Sequence, residues 1–382
     1  MSQDTYEADL AFLAGHTAVV ELTGPDEARV AVAPAYQGRV MTSTLGGAGG
    51  LSFGWINRKF IELGLDDAKF NNYGGEDRIW LGPEAGQFGL WFVKGEPFDM
   101  DHWKTPAGLN SGSWEVLSRQ IGSVVMAKRF QVTNYSGTAF QCDLKRTIGV
   151  LDRSRAAECL GPARPAGAAI VAFESDNMLA NAGQANWTLQ GGLLSIWTLG
   201  MFKPLRRGAV IVPFVAGEPD SSALGPKATT DYFGPLPPRR CRIGDDHLLF
   251  SCDGAYRSKI GVSPKRARDV LGSYDPDDRV LTIVQFNLPA DAARLPYVNS
   301  LWQIQDSPYA GDLVNSYNDG EERPGAGQLG PFYELETSSP AAQLRPGESI
   351  THVHRTFHFA GAFDALNELA GNVLGVALDE IG

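Results

Sequence analysis

Along this chain apolar residues recur mainly at every second position, in short runs cut off by glycine, proline or aspartate. AVVELTG (18–24), ARVAVAP (28–34) and GRVMTSTL (38–45) open the pattern. Each run is rich in residues that suit a pleated surface and is bounded by turn formers, which predicts strand, turn, strand. The mid-chain stretch QIGSVVMAKRFQVTNYSGTAFQCDLKRTIGVL alternates on both sides of Asn134-Tyr135-Ser136-Gly137, so a hairpin is expected there. HLLFSCDG, YRSKIGVSP, RVLTIVQFNL and ITHVHRTFHF continue the series.

Helical spacing is rare. Asp9–Ala14 reads as a short helix ended by Gly15, Phe60–Leu65 as another, and about Asp364–Leu378 as the best of the three. In the last, Leu366, Leu369, Val373 and Val376 fall on one face and Asp364 favours the N-terminus. Residues 217–242, with several prolines, read as a long surface loop. GGAGGLSFG (46–54) also reads as a loop, because the Gly-Lys-Ser/Thr ending of a phosphate-cradling motif is missing.

Composition supports this picture. Hydrophobic residues make up 43% of the 382, enough for a large core, and 44 glycines with 23 prolines suit many strands joined by many turns. Length alone would suggest two or three domains, but large all-β folds break that rule. The expected organisation is a lead-in over 1–20, one β domain over 21–360 and a C-terminal helix within 361–382 packed on it. The net charge of -11, without a concentrated basic run, argues against nucleic acid as a partner. Cys142, Cys159, Cys241 and Cys252 show neither metal-site nor redox spacing and read as buried free thiols. No apolar run nears the ~20 residues of a membrane helix. No signal-peptide pattern opens the chain, so a cytoplasmic location is expected, or a periplasmic or secreted one if a leader has been trimmed.

Four stretches could carry chemistry. In NNYGGEDRIWLGPEAGQFGLWF, Arg78 could hold a hydroxyl or carboxylate through its fork of donors, beside Glu76 and Trp80. FDMDHWKTP follows, placing His102 and Trp103 among acidic residues. In FESDNMLANAG, Asp176 is a polar candidate, although a turn role suits it as well. WQIQDSPYAGDLVNSYNDGEERPG reads as a polar loop carrying Asp312, Asn315 and Tyr317. Its oxygens could ligate Ca²⁺, but the spacing is not that of an EF-hand, and no metal or other cofactor is expected. Last comes the stretch FYELETSSPAAQLRPGESITHVHRTFHF. Glu334 and Glu336 share one face of a strand, and His352, His354 and His358 share one face of the next. If those two strands pair, a carboxylate–imidazole set is expected; the alternative is a solvated polar strip.

With those residues set out, the chain resembles the galactose mutarotase-like superfamily, and its uncharacterised bacterial members most. GRVMTSTL, RFQVTNYSGTAFQCDLKRTI and LETSSPAAQLRPGESITH carry the resemblance, in order, over roughly residues 20–360. It implies a large antiparallel β-supersandwich with few short helices, and a carbohydrate as ligand. In aldose 1-epimerases of this superfamily a late-strand glutamate takes the proton of the anomeric hydroxyl while a histidine protonates the ring oxygen. Glu336 matches the position of that base, with Glu334 its neighbour, and Arg78 loosely resembles the sugar-holding arginine. The Leu-His-Gly-Gly motif is absent, however, and no histidine lies between His102 and His247. A working epimerase would need His102 or another residue as acid. The resemblance therefore leaves three readings open: a sugar epimerase or isomerase, a non-catalytic carbohydrate-binding protein, and a polysaccharide-lyase-like enzyme with a diverged site.

Overall fold

The computed structural model describes residues 5–161, 167–218 and 223–381. Its strands in chain order are β1 (Val20–Thr23), β2 (Arg29–Ala33), β3 (Arg39–Thr44), β4 (Arg78–Gly82), β5 (Glu115–Arg119), β6 (Ser123–Thr133), β7 (Ala139–Val150), β8 (Ala169–Asn181) and β9 (Ser195–Phe202). They continue as β10 (Ala209–Pro213), β11 (Cys241–Ile243), β12 (His247–Phe250), β13 (Ser258–Val262), β14 (Val270–Asp275), β15 (Val280–Phe286), β16 (Val314–Asn318), β17 (Tyr333–Ser338) and β18 (Ser349–Ala360). The strands form three sheets. The largest has ten strands in the order β11-β12-β10-β14-β15-β18-β8-β7-β6-β5; the second has five, β13-β16-β17-β9-β4; and β1-β2-β3 make the third. Every named strand pair is antiparallel. The architecture is the expected all-β supersandwich.

Apolar side chains of the ten- and five-stranded sheets meet in a shared core. Val210, Leu271, Val284 and Phe286 from the first pack with Ile260, Val314 and Leu335 from the second. The opposite face of the ten-stranded sheet is covered by a helix at Phe363–Val373, whose Leu366 and Leu369 are fully buried against residues such as Ile283 and Phe357. Burying each such leucine contributes roughly 1.5–3 kcal/mol. The expected helix is thus present, though it stops at Val373 rather than near Leu378. The two earlier helices also form, at Tyr6–Ala14 and Arg58–Glu62. A helix at Arg153–Leu160 was not foreseen. Its start is marked by Asp152, whose side chain accepts the Arg155 N–H at 2.8 Å.

The hairpin at Asn134–Gly137 joins β6 to β7, with the Asn134 side chain accepting the Thr138 N–H at 2.9 Å and Gly137 at φ 96°. Two expectations fail. The polar stretch 302–325 is not one loop, because Val314–Asn318 forms a fully buried strand inside the five-stranded sheet. Its polar residues are tolerated there because their side chains are hydrogen-bonded, Ser316 Oγ to Glu334 O at 2.6 Å and Asn318 Nδ2 to Tyr256 O at 2.9 Å.

More consequentially, β17 and β18 do not pair. β17 lies between β16 and β9, whereas β18 lies between β15 and β8 in the other sheet. The connection between them is no tight turn. It continues along the segment before β9, with Ala342 N–H donating to Leu194 O and Trp187 N–H to Leu344 O. Only at Gly347, at φ 83°, does the chain turn to enter the opposite sheet.

Candidate functional site

Register in the five-stranded sheet decides which side chains share its outer face. Arg78, Leu199, Glu336, Asn315 and Gly261 are successive cross-strand partners, and Met201, Glu334, Tyr317 and Lys259 form a second row. Trp80 and Trp197 form part of a third. Residues directly opposite on antiparallel strands project to the same side, so these rows build one surface. At Gly261 a Cβ would lie 2.2 Å from Asp312 Oδ2 and 2.6 Å from Asn315 Nδ2, so glycine is what lets those two side chains cross its strand.

Two ion pairs sit on this surface. Arg78 Nη2 donates to Glu334 Oε1 at 2.6 Å, and Lys259 Nζ to Glu336 Oε2 at 2.8 Å. The Trp197 indole N–H donates to the same Glu336 oxygen at 2.9 Å. The Arg78 guanidinium lies 3.8 Å from the centre of the Trp80 ring, and the Lys259 ammonium 4.8 Å from that of Trp197. Arg78 and Glu334 are 3% and 5% exposed, and Glu336 is sealed. Even so, Arg78 Nε and Nη1 and Glu336 Oε1 have no hydrogen-bond partner among the described residues. Unpaired buried polar atoms are costly, and those of Arg78 border the pocket, where a ligand could satisfy them.

Above this floor lies a pocket of about 530 Å³, counted to its open mouth. Arg78, Trp80, Lys259 and Glu334 form its base, and Trp103, Trp302, Phe233, Phe332 and Arg257 its walls. Glu84 holds two of those walls in place, accepting the indole N–H of Trp103 at 2.7 Å and of Trp302 at 3.1 Å. Burial, with Glu336 close by, lifts the Glu334 carboxyl from its ordinary 4.5 to about 7, although Arg78 pulls the other way. A carboxyl poised there can both accept and donate a proton near neutrality. Glu336 does not line this pocket; it lies behind Trp197 and Lys259.

A smaller recess adjoins the pocket, sharing Trp197 and Lys259 with it. There Tyr232 O–H donates to Asp312 Oδ2 at 2.5 Å and Asn315 Nδ2 donates to Tyr232 Oη at 3.0 Å. Burial raises the Asp312 carboxyl, while its hydrogen bond from Tyr232 lowers it. Tyr317 lines the main pocket, its hydroxyl donating to Asp319 Oδ1 at 2.7 Å.

The structure therefore gathers Arg78, Trp80, Trp103, Tyr317 and Glu334 around one pocket, with Glu336, Asp312 and Asn315 beside it. It leaves three others elsewhere. His102 is on an exposed loop, bound to Asp99 at 2.6 Å and near Glu96 at 3.2 Å, and its hydrogen bond to Asp99 raises its pKa. Its neighbour Trp103 is the residue that turns inward. Glu76 is sealed inside the sandwich against His358 Nε2 at 2.7 Å, and that imidazole stacks on Phe53. Asp176 is exposed on β8, opposite in direction to the buried Ser175 and Asn177. His352 and His354 also point inward, away from Glu334 and Glu336, and share hydrogen bonds with Thr337 Oγ1 at 2.8 Å each.

Glu84, Trp197, Phe233, Arg257, Lys259 and Trp302 were not singled out from the sequence as site residues. Lys259 carried a readable signal, as the one charge in the strand SKIGV. Phe233 and Tyr232 come from within the loop 217–242, which reaches the site through paired backbone hydrogen bonds between Thr229 and Gly261.

A family model described as a family of unknown function, DUF6786, matches residues 4–382. The chain belongs to the DUF6786 family. Among solved structures, the chain is similar to an Escherichia coli K12 protein provisionally assigned as an aldose 1-epimerase. That similarity has a TM-score of 0.53 at 11% identity and covers 90% of this chain and 99% of the other. It is also similar to the Slr1438 protein of Synechocystis sp. PCC 6803, with a TM-score of 0.52 at 13% identity over 91% and 96% of the two chains. At such identities the likeness establishes the fold, which is galactose mutarotase-like. No curated protein matches the chain. Among the described residues of this DUF6786 chain, no helix is long and apolar enough to cross a membrane.

Proposed function

We propose that this DUF6786 chain binds a sugar on the outer face of its five-stranded sheet, against Arg78 and Glu334. The observation that carries the proposal is the Arg78–Glu334 pair at the base of an aromatic-walled pocket, with two guanidinium nitrogens left without partners among the described residues. Sugars suit such a site because their hydroxyls take charge-assisted hydrogen bonds while their C–H faces lie against indoles. The mutarotase-like fold supports the same reading. Ligand-observed NMR or calorimetry over a panel of common aldoses and their methyl glycosides tests it. Binding that is lost in Arg78→Met is expected; no binding by any member to the wild type would overturn it.

A second reading, interconversion of anomers, is favoured by the Glu334 carboxyl near pH 7 with Lys259 lining the same pocket. Glu334 would take the anomeric proton, and Lys259 is the candidate donor to the ring oxygen. His102 is not proposed for that role, because both its nitrogens face carboxylates on the exposed loop. Exchange NMR on the sugars that bind decides this. A rate above the spontaneous one that falls in Glu334→Gln supports catalysis, and a rate equal to the spontaneous one leaves a binding protein.

A further inference from the structure

Three cations, Arg78, Lys259 and Arg257, and three carboxylates, Glu84, Glu334 and Glu336, surround the pocket, but they are not all joined in ion pairs. Glu334 is paired with Arg78, Glu336 with Lys259, and both oxygens of Glu84 are taken by indoles. Arg257 is left without a direct ion pair, although its charge is felt by the Asp319 carboxyl behind Tyr317. Among the described residues no carboxylate lies within 4.0 Å of its guanidinium, and its one polar contact is a long one, 3.7 Å, from Nη2 to the sulfur of Met100. The group is nevertheless held in place. Its central carbon lies 3.8 Å from the centre of the Phe233 ring and 5.5 Å from that of Trp302. Those two rings stand at 88° to each other with centroids 6.3 Å apart. Cation–π contact of this kind fixes a guanidinium by its face and leaves its donor edges for another group.

Position adds to this. Arg257 and Phe233 line both the main pocket and an adjacent open recess, so the guanidinium stands where one passes into the other. The recess carries Glu321 and Glu322 beside Arg323 at its exposed rim. A ligand lying on Arg78 and Glu334 would extend toward Arg257.

We infer that the sugar taken by this site carries an anionic group, a carboxylate or a phosphate, which Arg257 binds. The inference rests on the sugar-binding reading above and specifies its substrate class. An arginine fork pairs with such a group through two parallel N–H···O bonds, and a partly buried charge-assisted pair of this kind discriminates by about tenfold or more.

The test compares matched ligands: methyl glycosides, the corresponding uronates, the methyl esters of those uronates, and the sugar 6-phosphates. Each is titrated calorimetrically into wild type, Arg257→Gln and Arg257→Lys. In the wild type, uronate or phosphate is expected to bind about tenfold tighter than its neutral counterpart. Whichever of the two shows the gain identifies the group. In Arg257→Gln the acid-to-neutral ratio is expected to collapse toward one, and Arg257→Lys to restore part of it. A structural role for Arg257 would weaken all ligands alike and leave the ratio unchanged, which overturns the inference. Neutral glycosides binding as tightly as their acids in the wild type would overturn it too, while sugar binding itself stands. No binding by any member removes both readings together.

Discussion

The two faces of β17 put polar groups to opposite uses. Outward, Glu334 and Glu336 keep company with Arg78 and Lys259 beside an open pocket. Inward, Thr337 bridges His352 and His354, which are 1% and 0% exposed. Burial pushes His352 down to about 3 and His354 well below its ordinary value, so both imidazoles are neutral in the fold. Deeper in the interior, Arg146 is ion-paired with Asp77, both fully buried, and Ser175 Oγ donates to the same carboxylate at 2.8 Å. Alternation along a single strand therefore separates a carboxyl that lines the pocket, Glu334, from polar groups that serve the sandwich itself. The histidines of β18, His352, His354 and His358, belong to the second class.

Cutting the interior ion pair should give the largest effect. Asp77→Ala strands the Arg146 charge, and a loss of about 3–5 kcal/mol is expected in denaturant unfolding. A loss below about 1 kcal/mol would mean that the interior network is not structural.

Glu334→Gln should show the reverse profile, because glutamine still accepts from Arg78. Stability is expected to change by less than about 2 kcal/mol, while sugar affinity drops about tenfold. Equal loss in both measurements would erase the distinction between the two faces.

The pH dependence separates them further. The inward histidines have depressed folded pKa values, so their contribution is intact above the ordinary 6.5 and is lost as pH falls toward about 3. Glu334 acts in the opposite sense. Its folded value is raised, so its contribution is present below the ordinary 4.5 and is lost as pH rises to about 7. Each group can contribute a slope of up to about 1.4 kcal/mol per pH unit. Unfolding free energies measured from pH 3 to 8 should show the acid slope reduced in His352→Asn and the neutral one reduced in Glu334→Gln.

The smallest effect is expected at the wall. Trp302→Phe removes one indole bond to Glu84, costing about 1 kcal/mol or less in stability and a few-fold in sugar affinity. Calorimetry that finds Trp302→Phe as damaging as Glu334→Gln would move the centre of the site from the floor to the wall.

Much of the fold was legible because strand signals are local. Alternation in β6 and β7, the turn at Asn134–Gly137 and the leucines of the C-terminal helix depend on residues close in sequence. The same parity rule set Glu334 beside Glu336 and His352 beside His354. Pairing was not local in this way. The expected pairing of the glutamate and histidine strands rested on their closeness in sequence, whereas the connection through Ala342 and Leu344 follows the segment before β9 into the other sheet.

The site divides along the same line. Arg78, Trp80, Trp103 and Glu334 could be picked out by residue type within aromatic or acidic stretches. Trp197 and Arg257 could not, and Lys259 only as a lone charge in its strand, because their roles come from rows across β13, β16, β17, β9 and β4 and from a loop folded over them. The sequence by itself determined an all-β chain with its strand faces and its stock of carboxylates, arginines and indoles. Only the tertiary structure decided which face looked outward, which carboxylate met the pocket and that the histidines of β18 were sealed away. The physical reason is that side-chain direction follows from a two-residue period within one strand, while proximity between strands follows from hydrogen-bond register over hundreds of residues.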